Sequence, residues 1–126
     1  MTSLAPAKAR AALSEQQIHM TVTRWLDLAL PKGAVFFHVP NGGSRNVIEA
    51  TKLKRMGTKA GVPDFCVIYR GRSIFIELKA SKGRLSPAQT DMLEQLTFAG
   101  AVTAVCRSLE EVSAFLGQLM PLRAKA

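Results

Sequence analysis

Acidic residues are scarce in this chain. Nine Asp and Glu face seventeen Lys and Arg, giving a formal net charge of +8 and a pI near 10.1. That balance favours a polyanionic partner. Cysteine is almost absent. Cys66 and Cys106 both fall inside apolar, β-like runs and read as small buried hydrophobes rather than as a disulfide or metal pair. That usage suits a reducing compartment, and a cytoplasmic location is expected. No Cys/His spacing fits a zinc site. Aromatics make up only 6% of residues and sit mostly in core-like runs, which disfavours single-strand recognition by stacking. No apolar run approaches a membrane span, so no membrane partner is expected. The first ten residues lack the apolar core of a secretory signal. Neither a phosphate-binding Gly-rich loop ending in Lys-Ser/Thr nor a nucleophile elbow is present, and no internal repeat or low-complexity segment stands out.

What remains is an ordinary globular composition. With 48% hydrophobic residues in 126, one domain and one modest core are expected. Residues 1–13 read as a mobile basic tail, 14–120 as the domain and 121–126 as a C-terminal tail. Ser14 and Gln17 have capping-box spacing, with Glu15 in the first turn, where the helix dipole favours an acid. Ile18, Val22, Trp25, Leu26 and Ala29 then repeat with helical period until Pro31 and Gly33. Residues 34–39 read as a strand, and Pro40-Asn41-Gly42-Gly43 breaks it. Ser44 is the expected cap of a second, weakly amphipathic helix running to about Met56. Two apolar runs, 65–69 and 73–78, flank Arg70-Gly71-Arg72 as a β-hairpin. Ser86-Pro87-Ala88-Gln89 combines three helix-start signals, and that helix continues through Met92, Leu93, Leu96 and Phe98. A fourth strand, 101–106, and a last helix opened by Ser108 complete the order α-β-α-β-β-α-β-α. That order predicts an α/β sandwich around a mixed four-stranded sheet.

The chemistry concentrates on the hairpin. Along its second strand Ile74, Ile76 and Leu78 take one face, and Phe75, Glu77 and Lys79 the other. Two opposite charges at the end of an otherwise apolar strand are costly unless paired or metal-bound. Asp64 opens the neighbouring strand. Asp64, Glu77 and the Leu78 carbonyl can offer oxygen ligands to a hard divalent cation, and Lys79 points the same way as Glu77. The spacing alone is equally met by a structural salt bridge between Lys79 and an acid. His19 lies one turn after Glu15 on the same face; it could reach a phosphate but reads as packed. His38, at a strand end, reads as structural.

Gly61-Val62-Pro63-Asp64, then Ile76-Glu77-Leu78-Lys79, then Leu85-Ser86-Pro87-Ala88-Gln89 resembles the VRR-NUC family of the PD-(D/E)xK, restriction-endonuclease-like superfamily. Phe37-His38-Val39-Pro40-Asn41-Gly42-Gly43 with Arg45 is similar to a segment of its small stand-alone, phage-type members. Glu15 falls where that family places an acid on the first helix, and the likeness runs over about residues 14–116. The resemblance implies that Asp64 and Glu77 ligate Mg²⁺ or Mn²⁺, that Glu15 completes the metal site, that Lys79 acts on the attacking water and that Gln89 stands beside it. Glu15 and Gln89 each also have a structural reading, as dipole partner and as capping-box residue.

The expected function is therefore a Mg²⁺- or Mn²⁺-dependent DNA endonuclease. The resemblance further implies a homodimer acting on branched DNA such as four-way (Holliday) junctions; DNA repair, recombination and phage genome processing stay open as its setting. Asn41, Gly42, Gly43, Arg45, Lys52, Lys54, Arg55 and Lys59 on one side, and Lys82 and Arg84 on the other, are expected to track phosphates. A basic DNA-binding module without catalysis, and a structural partner protein whose charge serves solubility, are the rival readings.

Overall fold

A computed structural model of the chain describes residues 12–40 and 46–126. Eight elements follow the expected order: α1 (Glu15–Ala29), β1 (Val35–His38), α2 (Val47–Arg55), β2 (Phe65–Tyr69), β3 (Arg72–Leu78), α3 (Pro87–Phe98), β4 (Val102–Cys106) and α4 (Leu109–Gly117). The strands lie side by side as β1-β2-β3-β4 in one mixed sheet. The first two pairings are antiparallel, and β3 and β4 are parallel, joined through α3.

Local sequence fixes most of these elements. Ser14 and Gln17 form a reciprocal capping box at the start of α1, and Ser86 and Gln89 form another at the start of α3, with Pro87 in the first turn. The hairpin turn is shorter than the three residues expected. Arg72 joins the strand, and Arg70 and Gly71 alone turn the chain, both at positive φ (49° and 78°). That is the hand of turn that matches the twist of two paired strands. The second helix begins two residues later than expected. Its cap is Asn46, whose side-chain oxygen accepts the Glu49 N–H at 2.7 Å. Asn46 serves because its short side chain caps as well as serine does and Glu49 follows at the right spacing. Ser44, the expected cap, lies outside the described residues.

The pairing registers put Phe65, Val67, Ile74, Ile76 and Leu78 on one face of the sheet. Ile18, Val22, Trp25, Leu26 and Ala29 of α1 and Val112 and Leu116 of α4 close over them. This is the core, and truncating one of its large side chains, such as Leu26 to Ala, costs about 2–5 kcal/mol. The C-terminal residues join it. The Arg123 N–H donates to the Ala29 carbonyl and its Nε to the Leu30 carbonyl, both at 2.7 Å. On the opposite face α3 reaches Glu77 through Gln89 and Thr103 through Thr97. It covers only part of that face, so none of its residues is fully buried, and Phe98 in its last turn is 97% exposed. The uncovered part leaves Val35, Phe37 and Ile68 exposed. None of α2 is buried either. No helix among the described residues is long and apolar enough to cross a membrane.

Candidate active site

Four elements end at one corner of the sheet. Asp64 leads into β2, Glu77 and Lys79 lie at the end of β3, Glu15 opens α1 and Gln89 stands in the first turn of α3. One carboxylate oxygen from each of Glu15, Asp64 and Glu77 lies within 4.8 Å of the others. Glu15 is exposed, Asp64 half-buried and Glu77 only 2% exposed.

Each side chain is held by a specific partner. Asp64 Oδ2 accepts the Leu78 N–H at 2.7 Å, which aims the carboxylate across the sheet at β3. The Asp64 carbonyl accepts the Val39 N–H at 2.8 Å and lies 2.8 Å from His38 Nδ1, so β1 clamps it from the other side. The approach to Asp64 depends on Gly61. Its φ is +79°, and a Cβ there would run into the Ala88 backbone at the start of α3. Only glycine lets the 57–63 loop lie against that helix and bring Asp64 near Gln89.

Gln89 both caps α3 and touches Glu77. Its Oε1 accepts the Ser86 N–H at 2.9 Å, closing the capping box, and its Nε2 donates to Glu77 Oε2 at 3.1 Å. Lys79 Nζ stands 3.8 Å from the same Glu77 oxygen and is 8% exposed. The Lys79 N–H donates to the Cys106 carbonyl at 3.0 Å, carrying the β3–β4 ladder one residue further.

Electrostatics mark Glu77 as the unusual group. Burial pushes its pKa up to about 8, and the Asp64 carboxylate pushes the same way, against the pull of Lys79. Without a cation, the site therefore favours the neutral, protonated form of the Glu77 carboxyl. A buried carboxylate facing a half-buried one is relieved either by a proton or by a cation between them. An all-oxygen set fits a hard dication such as Mg²⁺ or Mn²⁺. The two thiols offer no rival nucleophile: burial raises both, Cys106 to about 11.

Of the basic residues, Lys52 and Arg55 lie on α2, Lys59 on the following loop, and Lys82 and Arg84 on the loop after Lys79; all are exposed. Asn41, Gly42, Gly43 and Arg45 lie outside the described residues. One residue that sequence reasoning missed is Arg107. Its Nη1 donates to the Ala80 and Gly83 carbonyls, each at 2.7 Å, and pins the loop that follows Lys79. Its own N–H is taken by Glu111 Oε1 at 2.9 Å. The only sequence signal was its place between a strand and the Ser108 cap. Sequence reasoning also set aside the histidines. His19 stacks on Phe65 with ring centroids 4.5 Å apart and meets His38 edge-on at 4.4 Å, and both reach Asp64. Burial, then the neighbouring His38, lowers the pKa of His19, partly offset by Asp64 and Glu15.

Comparison with known proteins points the same way. The VRR-NUC domain model matches residues 10–110. A solved structure titled "VRR_NUC domain protein" superposes with a TM-score of 0.71 at 29% identity, covering 86% of this chain and 88% of that one. A second, titled "VRR_NUC domain", superposes at 0.58 with 20% identity, covering 86% of this chain and all of that one, and speaks to the fold alone. No curated protein matches.

Proposed function

The chain belongs to the VRR-NUC domain family, a family of nuclease domains, and from that premise we propose that it is a metal-dependent DNA endonuclease selective for branched substrates. The observation that carries the proposal is the convergence of Glu15, Asp64 and Glu77 within 4.8 Å, with Lys79 beside Glu77. Asp64, Glu77 and the Leu78 carbonyl, completed by Glu15, would hold Mg²⁺ or Mn²⁺. Such an ion supplies Lewis-acid relief of charge on the phosphate and a more acidic bound water.

The rest of the chemistry belongs to the chain. Glu77 must give up its proton on loading. The Leu78 N–H and the Gln89 amide keep Asp64 and Glu77 aimed at each other as it does so. Lys79 is placed to orient the attacking water, or to offset charge growing on the scissile phosphate. Its near-complete burial holds the ammonium where solvent screening is weak. Lys52, Arg55, Lys59, Lys82 and Arg84, with Asn41, Gly42, Gly43 and Arg45, would follow the phosphate backbone on either side. A small basic domain has little spare surface for reading bases, which favours selection by DNA shape, as at a four-way junction. A two-fold homodimer would supply paired cuts. Its interface is best sought at α2, which buries nothing and exposes Val47 and Ile48, with Met56 at its end.

The test is cleavage of labelled linear, flap and four-way-junction DNA with Mg²⁺, Mn²⁺ or EDTA. Wild type should cut the junction in a metal-dependent way. Lys79→Ala should cut about 10²–10⁴-fold more slowly and still bind DNA in a gel-shift assay. Undiminished cutting by Lys79→Ala defeats the assignment. Salt-sensitive binding by wild type without cutting of any substrate would favour a non-catalytic DNA-binding module.

A further inference from the structure

The chain has two histidines, and both meet at one carboxylate. His19 comes from α1, His38 from the end of β1 and Asp64 from the lead into β2, so three elements separated in sequence deliver them. One ligand atom from each lies within 4.8 Å of the other two. We propose that His19, His38 and Asp64 form a second cation site, for a borderline metal of the Mn²⁺, Co²⁺ or Zn²⁺ class. The site adjoins the carboxylate cluster through Asp64 but does not depend on the nuclease reading.

The hydrogen bonds set the donors. His38 Nδ1 lies 2.8 Å from the Asp64 carbonyl. A carbonyl only accepts, so Nδ1 carries a proton, and Nε2 is the ring nitrogen left to serve a metal. Anchoring one ring nitrogen on a main-chain carbonyl while the other stays basic is how metal-binding imidazoles are oriented. His19 is held as firmly, stacked on Phe65 at 4.5 Å and 24° and edge-on to His38 at 4.4 Å and 80°. Asp64 uses Oδ2 for the Leu78 N–H, which fixes the carboxylate without exhausting its acceptors. Packing alone does not account for this arrangement. A Phe or Tyr at position 19 would stack on Phe65 equally well, and nothing in packing requires two ring nitrogens to converge on an acid.

The donor set selects the occupant. Two imidazole nitrogens suit Zn²⁺, Co²⁺ and Mn²⁺, whereas Mg²⁺ prefers oxygen. A tetrahedral ion with bonds of about 2.1 Å wants donors roughly 3.4 Å apart. Loading would therefore draw the three donors, now within 4.8 Å of one another, closer together. The remaining coordination positions stay open to water or to a phosphate oxygen.

The experiment uses the untagged, full-length protein, stripped with EDTA. Zn²⁺ binding is followed by calorimetry and Co²⁺ binding by visible absorption, for wild type, His19→Gln, His38→Gln and Glu77→Gln. Losing even an outer partner of a metal ligand weakens binding about 10–100-fold, so each histidine variant should lose at least that, while Glu77→Gln retains the site. Zinc-edge X-ray absorption on wild type needs no variant, and imidazole scattering there has only these two rings as its source. Unchanged Zn²⁺ affinity in both histidine variants, or a zinc-edge spectrum without imidazole scattering, overturns the proposal. Junction cleavage with Mg²⁺ alongside either result would leave the nuclease standing and remove this site. Histidine-dependent Zn²⁺ binding in a protein that cuts no DNA would do the reverse.

Discussion

Replacing Glu77 by Gln should remove a loss of stability that the metal-free protein suffers as pH rises. Glu77 is 2% exposed and faces Asp64. Its pKa moves from the ordinary 4.5 to about 8. Below 4.5 the carboxyl is protonated in both the folded and the unfolded chain, and its buried hydrogen bonds stabilise the fold in full. Between the two values only the folded chain holds the proton, so stability falls as pH rises, and the loss is complete above about 8. At about 1.4 kcal/mol per pH unit, the ceiling is about 5 kcal/mol. The pull of Lys79 is already contained in that value, and solvent screening at the mouth of the site reduces the ceiling to about 1–3 kcal/mol. Guanidinium unfolding in EDTA between pH 5 and pH 9 measures it. Wild type should lose that much stability relative to Glu77→Gln, which carries no proton to lose. Mg²⁺ at about a hundred times its Kd should restore about 2.7 kcal/mol to wild type at pH 8. Parallel pH profiles for the two proteins would refute the argument, because Glu77 would then be no more costly to ionise in the fold than outside it.

Three further outcomes follow from the same corner. Gly61→Ala combines a left-handed backbone with a clash against Ala88, and should lower the unfolding free energy by about 2 kcal/mol or more in thermal denaturation; a loss below about 0.5 kcal/mol would mean the loop does not press on α3. Arg107→Ala should free the loop after Lys79, costing about 1.5–3 kcal/mol and accelerating backbone hydrogen exchange at Ser81 and Lys82. Removing Lys82 and Arg84 together should weaken DNA binding similarly for all sequences and reduce the salt slope by about one for each phosphate no longer neutralised; an unchanged slope would place the DNA elsewhere.

Much of this protein was written locally. Ser14 with Gln17, and Ser86-Pro87 with Gln89, fix where two helices begin, because a capping side chain finds its N–H partners within one turn. The periodicity of Ile18, Val22, Trp25, Leu26 and Ala29 fixes which face of α1 is buried, and all five are. Alternation along β3 puts Glu77 opposite Ile76, and so sets one acid apart on the less-covered face of the sheet. Even the family was legible, since its motif residues lie in short, contiguous runs.

What the sequence left open were encounters between distant segments. Spacing allowed Lys79 and Glu77 to be either a plain ion pair or part of a site. Bringing Glu15 from α1 and Asp64 from the lead into β2 within reach of Glu77 took the packing of α1 on the sheet and the pairing of β2 with β3. Arg107 and His38 looked inert because their partners, the carbonyls of the 80–83 loop and of Asp64, are backbone atoms that no side-chain pattern encodes. The helix ends and buried faces were set by interactions within one turn or one strand. The site was decided by which chain segments the sheet holds next to one another.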